Sequence, residues 1–139
     1  MMSSAYRVRQ VVNVLNLSTL LGLLVAKASG AALSRGADGI VLATGAHGSF
    51  PRASAFTVGN VVILRTPSPS AELLRHESRH ATQWACCVVL FLPLYWLAAL
   101  WSYARTGDHY SRNTFERRAG LTDGGYHEHA PRPLRRPHP

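Results

Sequence analysis

The sequence predicts an α+β fold, and three observations predict it. An apolar stripe at helical spacing lies near the N-terminus. A group of β-rich runs separated by glycine turns follows. Then a long stretch without proline or glycine, Ala71 to Leu92, opens on a serine.

The first element is expected over residues 7–34. Arg7 and Arg9 precede an apolar run from Val11 to Ala26, a pattern shared with signal peptides. Asn13, Asn16, Ser18 and Thr19 interrupt that run. Val11, Val12, Leu15, Leu20, Leu23 and Leu24 can still share one helical face. The pattern therefore favours a packed amphipathic helix over a cleaved leader. Its end is expected near Gly30 or at Ser34-Arg35-Gly36.

Residues 38–66 read as β. Gly39 to Thr44 is a short β-type run, Gly45 to Gly48 a turn, and Pro51 a helix breaker. Ala55–Val58 and Val61–Arg65 flank Gly59-Asn60, which is a two-residue hairpin signal. One bent strand through Gly59 is the alternative.

After the break at Thr66 to Pro69, Ser70 is placed to cap a second helix. This helix is expected to run on into Trp84–Trp101, with a kink or split near residues 89–93 caused by Pro93. A turn at Thr106-Gly107-Asp108 precedes a short helix from Asn113 to Gly120. Residues 1–120 thus form one domain. Residues 121–139, rich in Gly, Pro, His and Arg, read as a disordered basic tail.

Composition narrows the function classes. The 139 residues are 47% apolar and only 16% charged, so a buried or membrane-facing segment is expected. The net charge of +8 comes almost wholly from arginine, and the basic residues are scattered rather than interleaved with aromatics. No nucleic-acid partner is expected. The only cysteines, Cys86 and Cys87, are adjacent, which excludes a disulfide framework.

The chemistry-bearing motif is His76-Glu77-Ser78-Arg79-His80. Histidines at i and i+4 lie one above the other on a helix, so both rings can reach one ion. Neutral imidazole suits zinc. A glutamate next to the first histidine can reach a water held at the metal and act as its base. Glu77 is therefore the candidate catalytic residue, with His76 and His80 as metal ligands. A catalytic zinc usually takes a third protein ligand. Glu116 is one candidate, although Asn113 and Glu116 also fit a capping box that needs no metal. Asp108 and His109 compete for the third place. His109 or Tyr110 could instead stabilise an oxyanion. Gln83, one turn beyond His80, could orient a ligand or simply bond the backbone. His127-Glu128-His129 reads as a solvated tail segment and His47 as a surface residue.

His76 to Gln83 matches the HExxHxxQ pattern, and Asn113-Thr-Phe-Glu116-Arg-Arg-Ala119 matches N-x-F-E-x-x-A. With the strand region Phe56 to Leu64, these segments resemble small, uncharacterised zincin-like proteins of the gluzincin type over residues 56–120. The resemblance implies a minimal zincin-like fold and a zinc metallopeptidase-like activity, and it tips Glu116 from cap to third ligand. The chain departs from the usual gluzincin third-ligand segment, N-E-x-x-[SD], which bears on peptidase activity more than on metal binding.

Trp84 to Trp101 is a run of 18 residues without charge, and Trp and Tyr favour membrane interfaces. Membrane contact through this run is the rival expectation to a buried core helix. The function expected is a zinc-dependent hydrolase acting on a peptide or protein, located in the cytoplasm or at the membrane. The alternative is a small non-enzymatic membrane-associated protein. Neither substrate nor oligomeric state is legible.

Overall fold

A computed structural model describes residues 2–48 and 52–133. Pro51 and the tail beyond residue 133 lie outside the described residues. The architecture is mixed α+β: two N-terminal helices, a four-stranded sheet, a long broken helix and a short C-terminal helix.

The single helix expected over residues 7–34 is two helices. α1 spans Ser4–Leu15 and α2 spans Ser18–Ala28, and they meet at 74°. Leu17 takes a left-handed conformation (φ 65°), and the Asn16 side-chain oxygen accepts from the Ser18 amide. The residues that interrupt the apolar run make the bend.

The expected packing of α1 is inverted. Its buried residues are Arg9 and Asn13, whereas Val11 and Leu15 are 50% and 76% exposed. Asn13 Nδ2 donates to Asn60 Oδ1 (2.9 Å) and to the Ala81 carbonyl (2.8 Å). Asn60 Nδ2 donates to the Gln10 carbonyl and to Thr19 Oγ1, both at 3.0 Å. Arg9 donates to the Ser78 hydroxyl (2.8 Å). The bonded Asn13 and Asn60 amides fix the position of α1, while Arg9 Nε has no partner among the described residues. The polar face of α1 therefore sits inside, and its apolar stripe faces out.

The sheet order is β1 (Ala32–Arg35), β2 (Val41–Thr44), β4 (Val61–Leu64), β3 (Ala55–Val58). β1, expected as the end of a helix, is a strand pairing antiparallel with β2. β2 runs parallel to β4, and every residue of β4 is buried, as suits an internal parallel strand. The hairpin forms as expected: Val58 pairs with Val61 across Gly59-Asn60. Positive φ occurs at Gly59 (61°) and not at Asn60, which places glycine first, as in a type II′ turn. α2 rests on this hairpin. A Cβ at Gly22 would lie 2.4 Å from the Val58 carbonyl oxygen, so only glycine allows the approach.

α3 (Ala71–Cys87) carries the histidine pair, and the Ser70 side chain accepts from Leu73 N at 3.1 Å. The helix breaks at Val88 (φ 54°), passes through one 3-10 turn, and resumes as α4 (Phe91–Thr106). Pro93 falls in the first turn of α4, where its missing N–H costs nothing. The core joins Ala26 and Val58 to Trp84 and Phe91, so α2 and the start of α4 share one apolar cluster. The stretch Ala71–Thr106 is long and apolar enough to cross a membrane.

α5 (Thr114–Ala119) packs on α3 and α4. The chain beyond residue 120 does not leave the domain there. It turns over residues 121–125 and returns through residue 133, and Arg132 N donates to the Arg105 carbonyl at 2.7 Å. Its few side chains find partners already on the domain, which composition does not reveal.

Candidate metal centre

α3 is held against the edge strand β3 by Trp84, whose Nε1 donates to the Thr57 carbonyl at 2.9 Å. This places His76 and His80 inward, 1% and 7% exposed. Each imidazole is oriented through Nδ1. His76 Nδ1 lies 2.9 Å from the Gly120 carbonyl oxygen, and His80 Nδ1 lies 2.8 Å from Gln83 Oε1. The Gln83 amide is fixed in turn, because its Nε2 donates to the Phe115 carbonyl at 2.9 Å. Both partners are acceptors, so each Nδ1 carries the proton in the neutral ring and each Nε2 keeps its lone pair.

Glu116 reaches the same point from α5. Asn113 caps that helix by accepting from Phe115 N at 3.0 Å, so the cap and the carboxylate have separate roles. Glu116 Oε1 accepts from the Tyr95 hydroxyl. Glu116 Oε2 lies 3.1 Å from His76 Nε2 and 3.5 Å from His80 Nε2, and the two Nε2 atoms are 3.1 Å apart. Among the described residues no hydrogen-bond donor satisfies Oε2. With both rings neutral, three lone pairs converge in this buried space. Such a cluster needs a positive charge at its centre, either a proton or a metal ion.

The spacing suits a metal. Bonds of about 2.0–2.1 Å to a tetrahedral ion put neighbouring ligand atoms about 3.4 Å apart. His76, His80 and Glu116 thus form a buried group able to hold a metal ion. Burial alone would lower His80 and raise Glu116. Their mutual contact reverses both directions: Glu116 pushes His80 up, and His76 and His80 hold Glu116 below the usual carboxylate range.

Glu77 is buried beside this group. Its Oε2 accepts from Thr57 Oγ1 at 2.6 Å. Burial pushes its carboxyl up, against the pull of His80, Thr57 and His76. A carboxyl raised in this way is a better proton carrier near neutral pH.

The segment after α5 covers the centre. A Cβ at Gly124 would lie 2.7 Å from His76 Cε1, so the backbone there rests directly on the ring. The Tyr126 ring sits 5.9 Å from His76 and stacks on Tyr110 at 4.4 Å. Asp123 bridges to Arg79 at 2.7 Å, and Glu128 bridges to Arg117 at 2.5 Å. Asp108 accepts from the Ser111 amide and hydroxyl, and from His129 Nδ1 at 2.7 Å.

Of the residues singled out in the sequence, His76, His80 and Glu116 meet, and Gln83 orients one of them. Asp108 instead organises its own turn and ties down His129. His109 is exposed and stacks on Tyr103 at 4.8 Å. Tyr110 contributes to the cover. Glu128 and His129 of the tail triplet are paired with Arg117 and Asp108 rather than with each other. His47 donates its amide to the Ser29 carbonyl. Sequence reasoning missed Thr57, Tyr95, Gly120, Gly124 and Tyr126. Tyr95 was hidden by the apolar run around it, and the two glycines act through backbone atoms that carry no side-chain signal.

No protein-family model matches the chain, and no curated protein or solved structure matches it.

Proposed function

We propose that this chain is a zinc-dependent hydrolase of the metallopeptidase type. The observation that carries the reading is the convergence of two imidazole nitrogens and one carboxylate oxygen within 3.1–3.5 Å of one another. Two histidines and a glutamate are the donor set of open, catalytic zinc sites. Bound zinc would polarise a scissile carbonyl and bring a water's pKa to about 7. The chain's own residues do the rest. Gly120 and Gln83 hold the rings in register, and Tyr95 fixes the carboxylate. Glu77, steadied by Thr57, takes the proton of the attacking water and passes it to the departing amine as the C–N bond breaks.

Metal analysis of the purified protein tests the binding claim. One zinc per chain is expected, and it should be lost in His76→Ala; a wild-type protein free of transition metal ends the reading. Catalysis is tested separately with a peptide library. Glu77→Gln should retain zinc and lose hydrolysis by about 100-fold or more, and undiminished cleavage would remove Glu77 from its role.

A further inference from the structure

The inverted polarity of α1 has a counterpart in α2 and α4. Leu20, Leu21 and Leu24 form an exposed stripe on α2 at helical spacing, with Leu17 exposed just before it. α4 buries only Phe91, Ala99, Ser102 and Thr106. Leu97, Leu100 and Trp101 on its outer side are 64%, 59% and 61% exposed. Single exposed leucines are ordinary, but apolar stripes on three helices are not.

The charge pattern identifies the occupant. No acidic residue occurs in residues 1–37 or 78–107, the segments that hold α1, α2 and α4. Arg7 and Lys27 are exposed there, and Arg105 sits over the Trp101 ring at 5.8 Å near the end of α4. An apolar surface with basic residues, an interfacial Trp and no acids complements an anionic bilayer. A second copy would bring like charges together.

Length alone does not decide the mode of contact, because Ala71–Thr106 is long and apolar enough to cross a membrane. α1, α2 and α4 have 12, 11 and 16 residues. At 1.5 Å per residue the longest covers about 24 Å, short of a hydrocarbon core of about 30 Å. A span would have to run from α4 through the break at Val88 into the end of α3, and it would leave the exposed stripes of α1 and α2 uncovered. We propose that the chain is a monotopic membrane protein: α4 and the exposed stripes of α1 and α2 lie in the interface of an anionic leaflet, with the histidine-bearing helix above it. The expected contact over Trp84–Trp101 is thereby shifted, because Trp84 is 3% exposed and belongs to the core.

Flotation with vesicles tests this, using phosphatidylcholine alone or mixed with phosphatidylglycerol. The full chain should float with the mixed vesicles, less so at high salt, and come off in an alkaline carbonate wash. Leu97→Glu and Leu24→Glu change exposed positions only. They should keep the circular dichroism of the wild type and lower partitioning by about tenfold. Retention through the alkaline wash would overturn the interfacial placement in favour of a span. Failure to float with either vesicle, or a discrete oligomer in solution that ignores vesicles, would overturn membrane docking. Docking does not depend on the metal: His76→Ala should lose zinc and still float.

Discussion

Tyr95 shows how much a single side chain can matter at the centre. Its hydroxyl bonds Glu116 Oε1 and so presents the other oxygen to the imidazoles. Partners of this kind typically contribute 10–100-fold to metal affinity. Tyr95→Phe should therefore weaken zinc binding by about 10–100-fold, measured by competition with a chromogenic chelator, with little change in secondary structure. The spacing of His76 and His80 was readable from the sequence because a helix converts a gap of four into adjacency. Glu116 was ambiguous at the same level. A glutamate three residues after Asn113 suits a cap as well as a ligand, and only the direction of its side chain separates the two. Thr57 was not readable at all, since a threonine in a strand is ordinary and its bond to Glu77 joins residues 20 apart in sequence.

Elements were legible where local chemistry acts alone. Ser70 capping α3, the Gly59-Asn60 hairpin and the split ahead of Pro93 each follow from neighbours in sequence. The orientation of α1 was not legible. A hydrophobic stripe says which face is apolar, but the buried partners Asn60 and Ala81 lie 47 and 68 residues away from Asn13. The parallel pairing of β2 with β4 is long-range for the same reason. Packing of α2 on the hairpin yields a sharp expectation. Gly22→Ala puts a methyl against backbone and against Val61, neither of which can swing aside. The variant should lose about 1–3 kcal/mol of stability in urea unfolding, and a neutral result would mean that α2 does not sit so close.

At the scale of the whole molecule, the segment after α5 runs from its cover over His76 back to the turn after α4. Asp108 anchors it through His129 while also organising the turn after α4. Burial alone would raise the Asp108 carboxyl, but bonds from Ser111, Tyr110 and His129 outweigh it and hold it well below the usual range. A depressed carboxyl stabilises the fold at pH above its unfolded value of about 3.9, and that contribution disappears as pH falls through the folded value. Asp108→Asn should therefore be less stable than the wild type at neutral pH, with the gap closing below about pH 4. Thermal melts across that range check it, and a gap that is constant with pH would deny the carboxylate its part. Composition suggested that this segment was free because it has few apolar side chains. Its attachment uses ion pairs and backbone bonds instead, which hydrophobic patterning does not register.

The covering backbone at Gly124 has a consequence for how the proposed site would acquire an ion. His76 and His80 sit on a helix that is synthesised before Asn113 and the turn over residues 121–125. A growing chain thus offers two open arms first, then the carboxylate, then the lid. An ion caught early would be locked in by the later residues, whereas one arriving after folding would have to wait for that cover to lift. Loading during synthesis and loading afterwards should therefore run at very different speeds.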